Sequence, residues 1–315
     1  MCITTIWPTL SMAAIQQSVE LQVATGHLRG TLTLPNGVDQ KACPVVLLIA
    51  GSGPTDRDGN SRFERRHIDN YRHLAEALAA HGIASLRYDK RGVGESRSAL
   101  TSENQLRFGD FVDDALAWGR QLRGDSRFSS VIIMGHSEGS LIGVMAARRL
   151  PADAFISLEG AGEPMPRILE RQLKPQLPPD LYVQALSVMR SLEGGLKVDH
   201  VPPELVTLFR PSVQQYDISW FKLDPRKEIR QLSMPVLIVQ GQEDRQVGIS
   251  EARQLKEAYP AAQLLVLPHM GHQLIDTDQE SSRSVESEQK PIDTKMASGI
   301  VGFIDGLASK KEKNE

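Results

Sequence analysis

The pentapeptide 135–139, Gly-His-Ser-Glu-Gly, could hold a nucleophilic serine on a sharp turn between a strand and a helix. An apolar strand pattern precedes it at 131–134, and a helical pattern follows at 141–150. Glycines two residues before and after the serine remove side chains that would clash in such a turn. The helix N-terminus would also favour a negative charge developing beside the serine. A chance glycine-serine turn is the alternative, but this context predicts that Ser137 is a nucleophile.

A nucleophilic serine needs a base that takes its proton and a carboxylate that orients the base. Read in the order serine, acid, histidine, the chain supplies Ser137, Asp244 and His272. Asp244 follows a strand predicted at 235–240, and His272 follows one predicted at 263–267. Because parallel strands present their carboxyl ends at one edge of a sheet, we expect the three side chains to meet there.

Both partners of the serine have a nearby alternative. Glu243 could be the acid in place of Asp244, and His269 could be the base in place of His272. Position relative to the strand ends favours Asp244 and His272. We expect the two alternatives to point elsewhere.

Attack by the serine creates a tetrahedral oxyanion, which needs two hydrogen-bond donors. One should be the backbone N–H of Glu138, directly after the serine. The other should come from the loop 50–60, which begins Ala-Gly-Ser-Gly-Pro after an apolar strand. Small residues in that loop let the backbone approach a substrate closely. We choose the N–H of Ser52 as the second donor, with Gly53 as the alternate.

The same loop partly matches a calcium-binding loop. Asp56, Asp58 and Asn60 occupy the spacing of the first three ligands of an EF-hand. Positions six and twelve of such a loop need Gly and Glu, but this chain has Ser and His there. We therefore predict no metal site, and expect Asp56 and Asp58 to cap turns with Arg57 paired to one of them.

A second glycine turn, 89–96, reads Asp-Lys-Arg-Gly-Val-Gly-Glu-Ser and follows a strand predicted at 83–88. A phosphate-binding loop is conceivable, but the Gly-Lys-Ser/Thr that such loops carry is missing. We interpret the segment as a tight structural turn held by Asp89 and Arg91.

Strand and helix patterns alternate along most of the chain. An antiparallel hairpin is predicted at 18–35, and short apolar runs then alternate with amphipathic helices to residue 160 and again over 224–308. Such alternation indicates βαβ units and a mostly parallel, doubly wound sheet. The sequence thus predicts an α/β fold whose core is 18–160 and 224–308.

Residues 161–223 break the alternation. Nine of the 18 prolines fall between positions 163 and 225, with short helical patterns and no strand among them. The segment is too rich in Leu and Phe for a flexible linker, and it predicts an inserted helical cap. Large aromatic residues of the cap are candidates for the wall of an apolar substrate pocket. These candidates are Phe209, Trp220 and Phe221.

The ends of the chain carry weaker patterns. Residues 1–17 are interpreted as a loose N-terminal tail and 309–315 as a charged tail. The start lacks the basic segment of a signal peptide. The cytoplasm is therefore the predicted location.

Composition narrows the classes of partner. The 315 residues include 36 Lys and Arg against 39 Asp and Glu, a net charge of −3, so the chain shows no basic excess for nucleic acid or an anionic membrane. No apolar run approaches the roughly 18 residues that span a bilayer. Two cysteines exclude a disulfide framework or a cysteine zinc cluster. We predict a small-molecule partner, no nucleic acid and no membrane.

Three motifs together resemble the α/β-hydrolase superfamily, in particular bacterial carboxylesterase-like serine hydrolases. They are the loop 51–58 (Gly-Ser-Gly-Pro-x-Asp-Arg-Asp), the turn 87–96 (Arg-Tyr-Asp-Lys-Arg-Gly-x-Gly-x-Ser) and the pentapeptide 135–139. The resemblance leaves out the cap. It implies the α/β-hydrolase fold and hydrolysis of carboxylic esters through an acyl-enzyme, without cofactor or metal. A polar insertion at 277–290 departs from the pattern.

Our first functional hypothesis is a serine carboxylesterase for small or medium acyl chains. A peptidase, thioesterase or C–C hydrolase on the same scaffold remains an alternative, because the pocket decides the function. A non-catalytic ligand-binding protein is disfavoured because all three candidate catalytic residues are present. Dehalogenase chemistry is excluded more firmly, since it needs a carboxylate where Ser137 stands.

Overall fold

An eight-stranded sheet forms the centre of the computed structural model, which describes residues 14–38, 40–62, 67–278 and 292–312. The strands are β1 (Ile15–Val23), β2 (Gly26–Leu34), β3 (Cys43–Ile49), β4 (Ala84–Tyr88), β5 (Phe128–His136), β6 (Ala154–Leu158), β7 (Val236–Gly241) and β8 (Gln263–Leu267). Their spatial order is β1-β2-β4-β3-β5-β6-β7-β8. The β1–β2 and β2–β4 pairs are antiparallel, and the other five pairs are parallel. The predicted hairpin and the mostly parallel sheet are therefore confirmed.

Helices cover both faces of this sheet. They are α1 (Asn70–Ala80), α2 (Phe108–Arg123), α3 (Glu138–Arg149), α4 (Met165–Leu173), α5 (Pro179–Glu193), α6 (Val206–Phe209), α7 (Gln214–Phe221), α8 (Pro225–Ile229), α9 (Ile249–Ala258) and α10 (Thr294–Glu312). Helices α1 and α10 pack on one face, and α2, α3 and α9 pack on the other. Central strands buried on both faces must be apolar throughout, which explains the uninterrupted run in β3.

Helix α2 illustrates how the spacing of apolar residues builds this layer. Its residues Phe111, Ala115, Trp118 and Leu122 recur every three or four positions, and all four are buried against the sheet. Trp118 has no exposed surface. The helical pattern of the sequence thus corresponds to the face that meets the core.

The segment between β6 and β7 is helical and contains α4 to α8. Helices α4 to α7 enclose an apolar cluster of their own, separate from the two clusters that flank the sheet. Helix α7 docks this segment on α2, where Phe108 stacks on Tyr216 and Trp220 with ring centroids 6.0 and 5.7 Å apart. The Phe108 N–H also donates to Ser219 Oγ at 2.8 Å. The helical segment therefore sits beside the carboxyl edge of the sheet.

The structure moves two predicted boundaries. Strand β1 begins at Ile15, so the last residues of the predicted N-terminal tail pair with β2. Helix α10 runs to Glu312, so the predicted charged tail begins as helix. The earlier tail residues 1–13 and most of the polar insertion, 279–290, lie outside the described residues. The division into core and cap stays a prediction.

Within the described ranges, no helix combines the length and apolar character needed to cross a bilayer.

Candidate active site

The turn that carries Ser137 is strained and tightly packed. Ser137 has φ 55° and ψ −120°, which a non-glycine residue rarely adopts. A Cβ atom on Gly135 would lie 2.0 Å from the carbonyl oxygen of Gly139, and one on Gly139 would lie 2.3 Å from that of Ile49. Glycine is thus required at both positions by close backbone approach. The turn holds Ser137 at the carboxyl end of β5 and at the start of α3.

The structure brings the three residues predicted to act together into one line of hydrogen bonds. His272 Nε2 lies 3.2 Å from Ser137 Oγ, and His272 Nδ1 lies 2.6 Å from Asp244 Oδ2. Asp244 is buried and His272 is nearly so. The geometry allows Nδ1–H to donate to the carboxylate, which leaves Nε2 free to accept the serine proton.

The two alternatives lie at the surface instead. His269 Nδ1 is 3.8 Å from Glu243 Oε1 and 3.1 Å from Asp278 Oδ2, and all three side chains are largely exposed. Neither Glu243 nor His269 contacts Ser137. These three side chains contact one another outside the site.

Asp244 is held by its own loop. Its Oδ1 accepts the N–H groups of Gln246 at 2.7 Å and Val247 at 2.9 Å. Burial raises the pKa of this carboxyl, but the hydrogen bond and charge of His272 outweigh that effect and lower it to about 2. Asp244 is consequently ionised at neutral pH and can accept the Nδ1 proton.

A buried carboxyl that the sequence analysis missed stands behind Asp244. Glu159 follows β6 with φ 49°, has no exposed surface, and accepts the N–H of Gly241 at 2.8 Å. Burial raises the pKa of Glu159 to about 11, and a hydrogen bond to Asp244 adds to the rise. Glu159 is therefore a neutral acid that donates to Asp244. Its position at a strand end next to β5 could have revealed it, since the same rule located Asp244.

We expect the glutamine variant of Glu159 to remove part of the pH dependence of stability. The folded carboxyl keeps a proton that an unfolded glutamate loses above a pH of about 4.3. The stabilisation is thus complete below about pH 4.3 and decreases as pH rises towards the folded pKa of about 11, by up to about 1.4 kcal/mol per pH unit. Urea unfolding between pH 6 and pH 9 should show a shallower decline for Glu159→Gln than for wild type. Glu243→Gln, a change at an exposed carboxyl, serves as control, and equal slopes in all three proteins would refute the assignment.

His136 links two loops of the site and does not titrate near neutral pH. Burial lowers the pKa of His136 to about 3, with a contribution from His272. Its Nε2–H donates to the carbonyl oxygen of His272 at 2.8 Å, so Nδ1 accepts the Tyr71 hydroxyl at 2.7 Å. Tyr71 in turn accepts the N–H of Gly51 at 3.1 Å. This chain fixes the loop after β3 relative to the loop that carries His272.

The backbone N–H groups near Ser137 fall into two classes, those already bonded within the protein and those still available to an oxyanion. The N–H of Ser137 donates to Leu158, and that of Gly51 donates to Tyr71, so both are occupied. Within the described chain, the N–H groups of Ser52 and Glu138 donate no hydrogen bond to the protein. Ser52 and Glu138 line one cavity together with Ser137. The structure places both predicted donors beside Ser137.

Two cavities meet at Ser137. The first, about 70 Å³ in volume, lies beneath the helical segment and is called the cap cavity here. Its lining residues beyond Ser52, Ser137 and Glu138 are Leu141, Ala161, Glu163, Met165, Ile168, Gln172, Trp220, Pro225, Gln246 and Val247. The second, about 240 Å³, opens to solvent between the loop after β3 and His272, and is called the open cavity. Its lining is polar and includes Thr55, Gln246 and Gln273.

One of the three predicted pocket residues lines a cavity. Trp220 forms part of the wall of the cap cavity. Phe209 and Phe221 are not in that wall, because the short helices of the segment bury them in their own apolar cluster. The prediction was wrong for these two, since sequence alone did not show which face of α6 and α7 points inward. Leu141 and Ile168, which do line the cavity, gave no signal beyond ordinary helical spacing.

The loop 51–61 is held by the carboxylate of Asp56, whereas the carboxylate of Asp58 accepts from Arg87 on β4. Asp56 Oδ1 accepts the N–H groups of Asp58 and Asn60, both at 2.9 Å, as a turn cap does. The predicted pairing of Arg57 with one of these aspartates is wrong. Arg57 instead pairs with Glu95 and, at 3.7 Å, with Asp89.

The turn 89–96 is held partly as predicted. Asp89 accepts the N–H groups of Arg57 at 2.8 Å and Glu95 at 2.9 Å. Arg91 does not close the turn, but pairs with Asp114 on α2. Lys90, between them, points into the protein and contacts Glu138.

Comparison with solved structures identifies the architecture. Est1E from Butyrivibrio proteoclasticus superimposes with a TM-score of 0.60 over 93% of this chain and 99% of its own, at 16% identity. The chain has the α/β-hydrolase fold. Ser137, Asp244 and His272 follow β5, β7 and β8, which is the order serine, acid, histidine expected for this fold.

The sequence is also similar to a family model and to two known proteins. A family model described as "Serine aminopeptidase, S33" matches residues 65–218. "Esterase EstD" of Thermotoga maritima is 26% identical over 296 residues, which cover 90% of this chain and 67% of that protein. "Probable aminopeptidase YbaC" of Bacillus subtilis is 24% identical over 142 residues, which cover 45% of this chain and 40% of that protein. The match to the second relative thus spans less than half of its length.

Proposed function

We propose that this α/β-hydrolase is a serine esterase that cleaves carboxylic esters of small or medium acyl chain through an acyl-enzyme. The observation that carries the proposal is the line of hydrogen bonds from Ser137 through His272 to Asp244. The Ser52 and Glu138 N–H groups beside the serine suit a tetrahedral oxyanion. The relative covering most of the chain is named an esterase. The loop 51–58 supports placement among carboxylesterase-like members.

The reaction follows from these groups. Ser137 Oγ adds to the ester carbonyl while its proton passes to His272 Nε2. The oxyanion then collapses, the bond to the alcohol breaks, and His272 returns the proton to the departing oxygen. A water molecule next adds to the acyl-serine by the same route and releases the acid. Asp244 stays ionised throughout and stabilises the imidazolium.

The position of His272 assigns the two halves of the ester to the two cavities. A general acid must lie within reach of the oxygen that it protonates, so the alcohol leaves on the side of His272. His272 lines the open cavity and is absent from the wall of the cap cavity. The alcohol therefore occupies the polar open cavity, and the acyl group occupies the cap cavity.

The volume of the cap cavity limits the acyl group. About 70 Å³ corresponds to roughly five water-sized positions at 10–15 Å³ each. Leu141, Ile168 and Trp220 give the wall an apolar character that suits an alkyl chain. Acetyl to butyryl groups fit without rearrangement, whereas longer chains require the helical segment to move.

A peptidase is the second candidate, because the family model and one relative carry aminopeptidase descriptions. Removal of an N-terminal residue requires a group that binds the substrate ammonium. Glu163 lines the cap cavity, but its carboxylate already pairs with Arg171. A compensated carboxylate favours a neutral acyl group, so the ester is preferred.

A substrate panel tests the proposal. We expect kcat/KM to be highest for p-nitrophenyl acetate and butyrate, lower for octanoate, and lowest for palmitate, since the longer chains exceed the cap cavity. Aminoacyl p-nitroanilides and acyl-CoA thioesters should be turned over far more slowly. Faster cleavage of an aminoacyl anilide than of any ester would establish the peptidase instead.

Trp220→Ala should change the chain-length profile. Loss of the indole enlarges the cap cavity, which can then hold a few more methylene groups of the acyl chain. The ratio of kcat/KM for the octanoate ester to kcat/KM for the acetate ester should therefore rise by about tenfold. Phe209→Leu is the matched control, because Phe209 packs within the helical segment away from the cavity. An unchanged ratio in Trp220→Ala, measured on folded protein, would argue against the acyl assignment.

The proposed reaction takes a small-molecule ester as partner and uses groups of the chain itself, without a cofactor or metal. The cytoplasm stays the predicted location.

A further inference from the structure

The turn 89–96 contains a buried lysine, Lys90, whose side chain extends to the residues around Ser137. Lys90 follows β4, and its side chain is 2% exposed. Its Nζ donates to the carbonyl oxygen of Gly51 at 2.6 Å and to Glu138 Oε2 at 2.6 Å. Burying an ammonium is costly unless it is fully paired. These two acceptors are therefore specific partners of the cation.

The contact with Gly51 controls a neighbouring N–H group. The carbonyl of Gly51 and the N–H of Ser52 belong to one planar trans peptide unit, in which the two groups point in opposite directions. A cation that fixes the carbonyl therefore also fixes the direction of the Ser52 N–H. Hydrogen bonds in sequence polarise one another, so the same contact strengthens this N–H as a donor.

The contact with Glu138 ties the second donor to the same cation. The N–H of Glu138 is the other proposed oxyanion donor, and its carboxylate is bonded by Lys90 and by the Tyr216 hydroxyl of α7. The ring of Phe111 lies 4.9 Å from the ammonium and closes the site from α2. One ammonium thus joins the loop after β3 to the first residue of α3, the two segments that must each present an N–H to the same oxygen.

We propose that Lys90 is a positioning residue of the oxyanion hole, holding the Ser52 and Glu138 N–H groups at the spacing and direction that a tetrahedral oxyanion needs. This proposal rests on the acyl-transfer function above. The competing explanation is that Lys90 only neutralises the buried carboxylate of Glu138. The two explanations differ in what happens when both charges are removed together.

The test uses Lys90→Met alone and combined with Glu138→Gln. The double variant removes both buried charges, so it avoids the unpaired carboxylate that could unfold Lys90→Met. It keeps both backbone N–H groups but leaves the Gly51 carbonyl without its cation. If Lys90 positions the oxyanion hole, kcat for p-nitrophenyl acetate should fall by about 10²-fold in both variants, with KM changed less than about threefold, as for loss of an oxyanion donor.

The inhibition constant of a transition-state analogue is a second measurement, which should not change if Lys90 only neutralises Glu138. Ser137 Oγ adds to the carbonyl carbon of a short alkyl trifluoromethyl ketone, and the serine proton passes to His272. The carbonyl oxygen becomes an oxyanion that lies between the two N–H groups. The inhibition constant of the ketone should rise by about the same factor as kcat falls, because catalysis and the analogue use the same donors. The product carboxylic acid should bind the variants about as well as wild type.

A matched control lies one residue away. Arg91 of the same turn pairs with the buried Asp114 of α2, and this pair does not reach Gly51 or Glu138. The double variant Arg91→Met, Asp114→Asn should retain kcat within about twofold. Wild-type kcat in the Lys90→Met, Glu138→Gln protein, or unchanged binding of the trifluoromethyl ketone, would overturn the proposal. Failure of the proposed function itself would instead appear as absent ester hydrolysis in wild type.

Discussion

Replacing Ser137 with alanine is expected to lower kcat/KM for a short-chain ester by about 10⁴-fold or more while the protein stays folded. The variant lacks the oxygen that forms the acyl-enzyme, and His272 then has no proton to take at 3.2 Å. A small residue also fits the strained turn as well as serine does, so folding should be preserved. The measurement is steady-state hydrolysis of p-nitrophenyl acetate, together with circular dichroism to check the fold.

Ser140→Ala is the matched control for this change. Ser140 lies three residues further along the chain, on α3, and is buried, but its hydroxyl contacts Ser157 at 2.7 Å and not His272. A fluorophosphonate probe should label wild type and Ser140→Ala and fail to label Ser137→Ala. Retained esterase activity in a folded Ser137→Ala protein would disprove the nucleophile assignment.

Asp244→Asn should lower kcat by about 10³-fold or more. The ionised carboxylate accepts the Nδ1 proton of His272 at 2.6 Å and stabilises the imidazolium that forms during attack. An asparagine amide can donate to Nδ1, which favours the tautomer whose Nε2 carries the proton and cannot accept one from serine. The loss should appear mainly in kcat, because the residue does not touch the substrate cavities.

Glu243→Gln provides the comparison, since it also replaces a carboxylate with its amide, at the adjacent residue. Glu243 is exposed and pairs with His269 outside the site, so this variant should keep kcat within about twofold. If Glu243→Gln were the impaired protein and Asp244→Asn the active one, the acid would be misassigned.

Much of the candidate site could be predicted because its requirements are local. Gly135 is needed because the backbone of Gly139 approaches it within the turn, so the pentapeptide signals the turn directly, although Gly139 itself is needed because of Ile49 on β3. Acids and bases at the ends of parallel strands must lie at one edge of the sheet. That rule places Asp244 and His272, and it would also have found Glu159.

The choice between adjacent candidates depended on the folded loops. Asp244 and Glu243 differ by one residue, and the sequence offers no measure of which side chain turns inward. The inward direction of Asp244 follows from the N–H groups of Gln246 and Val247, which its Oδ1 accepts. In the same way, the sequence of a short helix does not show which aromatic residue faces the cavity. The structure shows that Trp220 lines it, whereas Phe209 and Phe221 are buried within the helical segment.

By itself, the sequence determined the α/β alternation, the strained serine turn and the strand ends that carry acid and base, because each follows from spacing within one element. Tertiary structure alone decided that Glu159 is neutral, how the two cavities divide, and that Lys90 contacts Gly51 and Glu138. Lys90 lies 39 residues from Gly51 and 48 from Glu138 in the chain. Contacts at such separations are set by the order of β4, β3 and β5 in the sheet, which places three distant loops side by side at one edge.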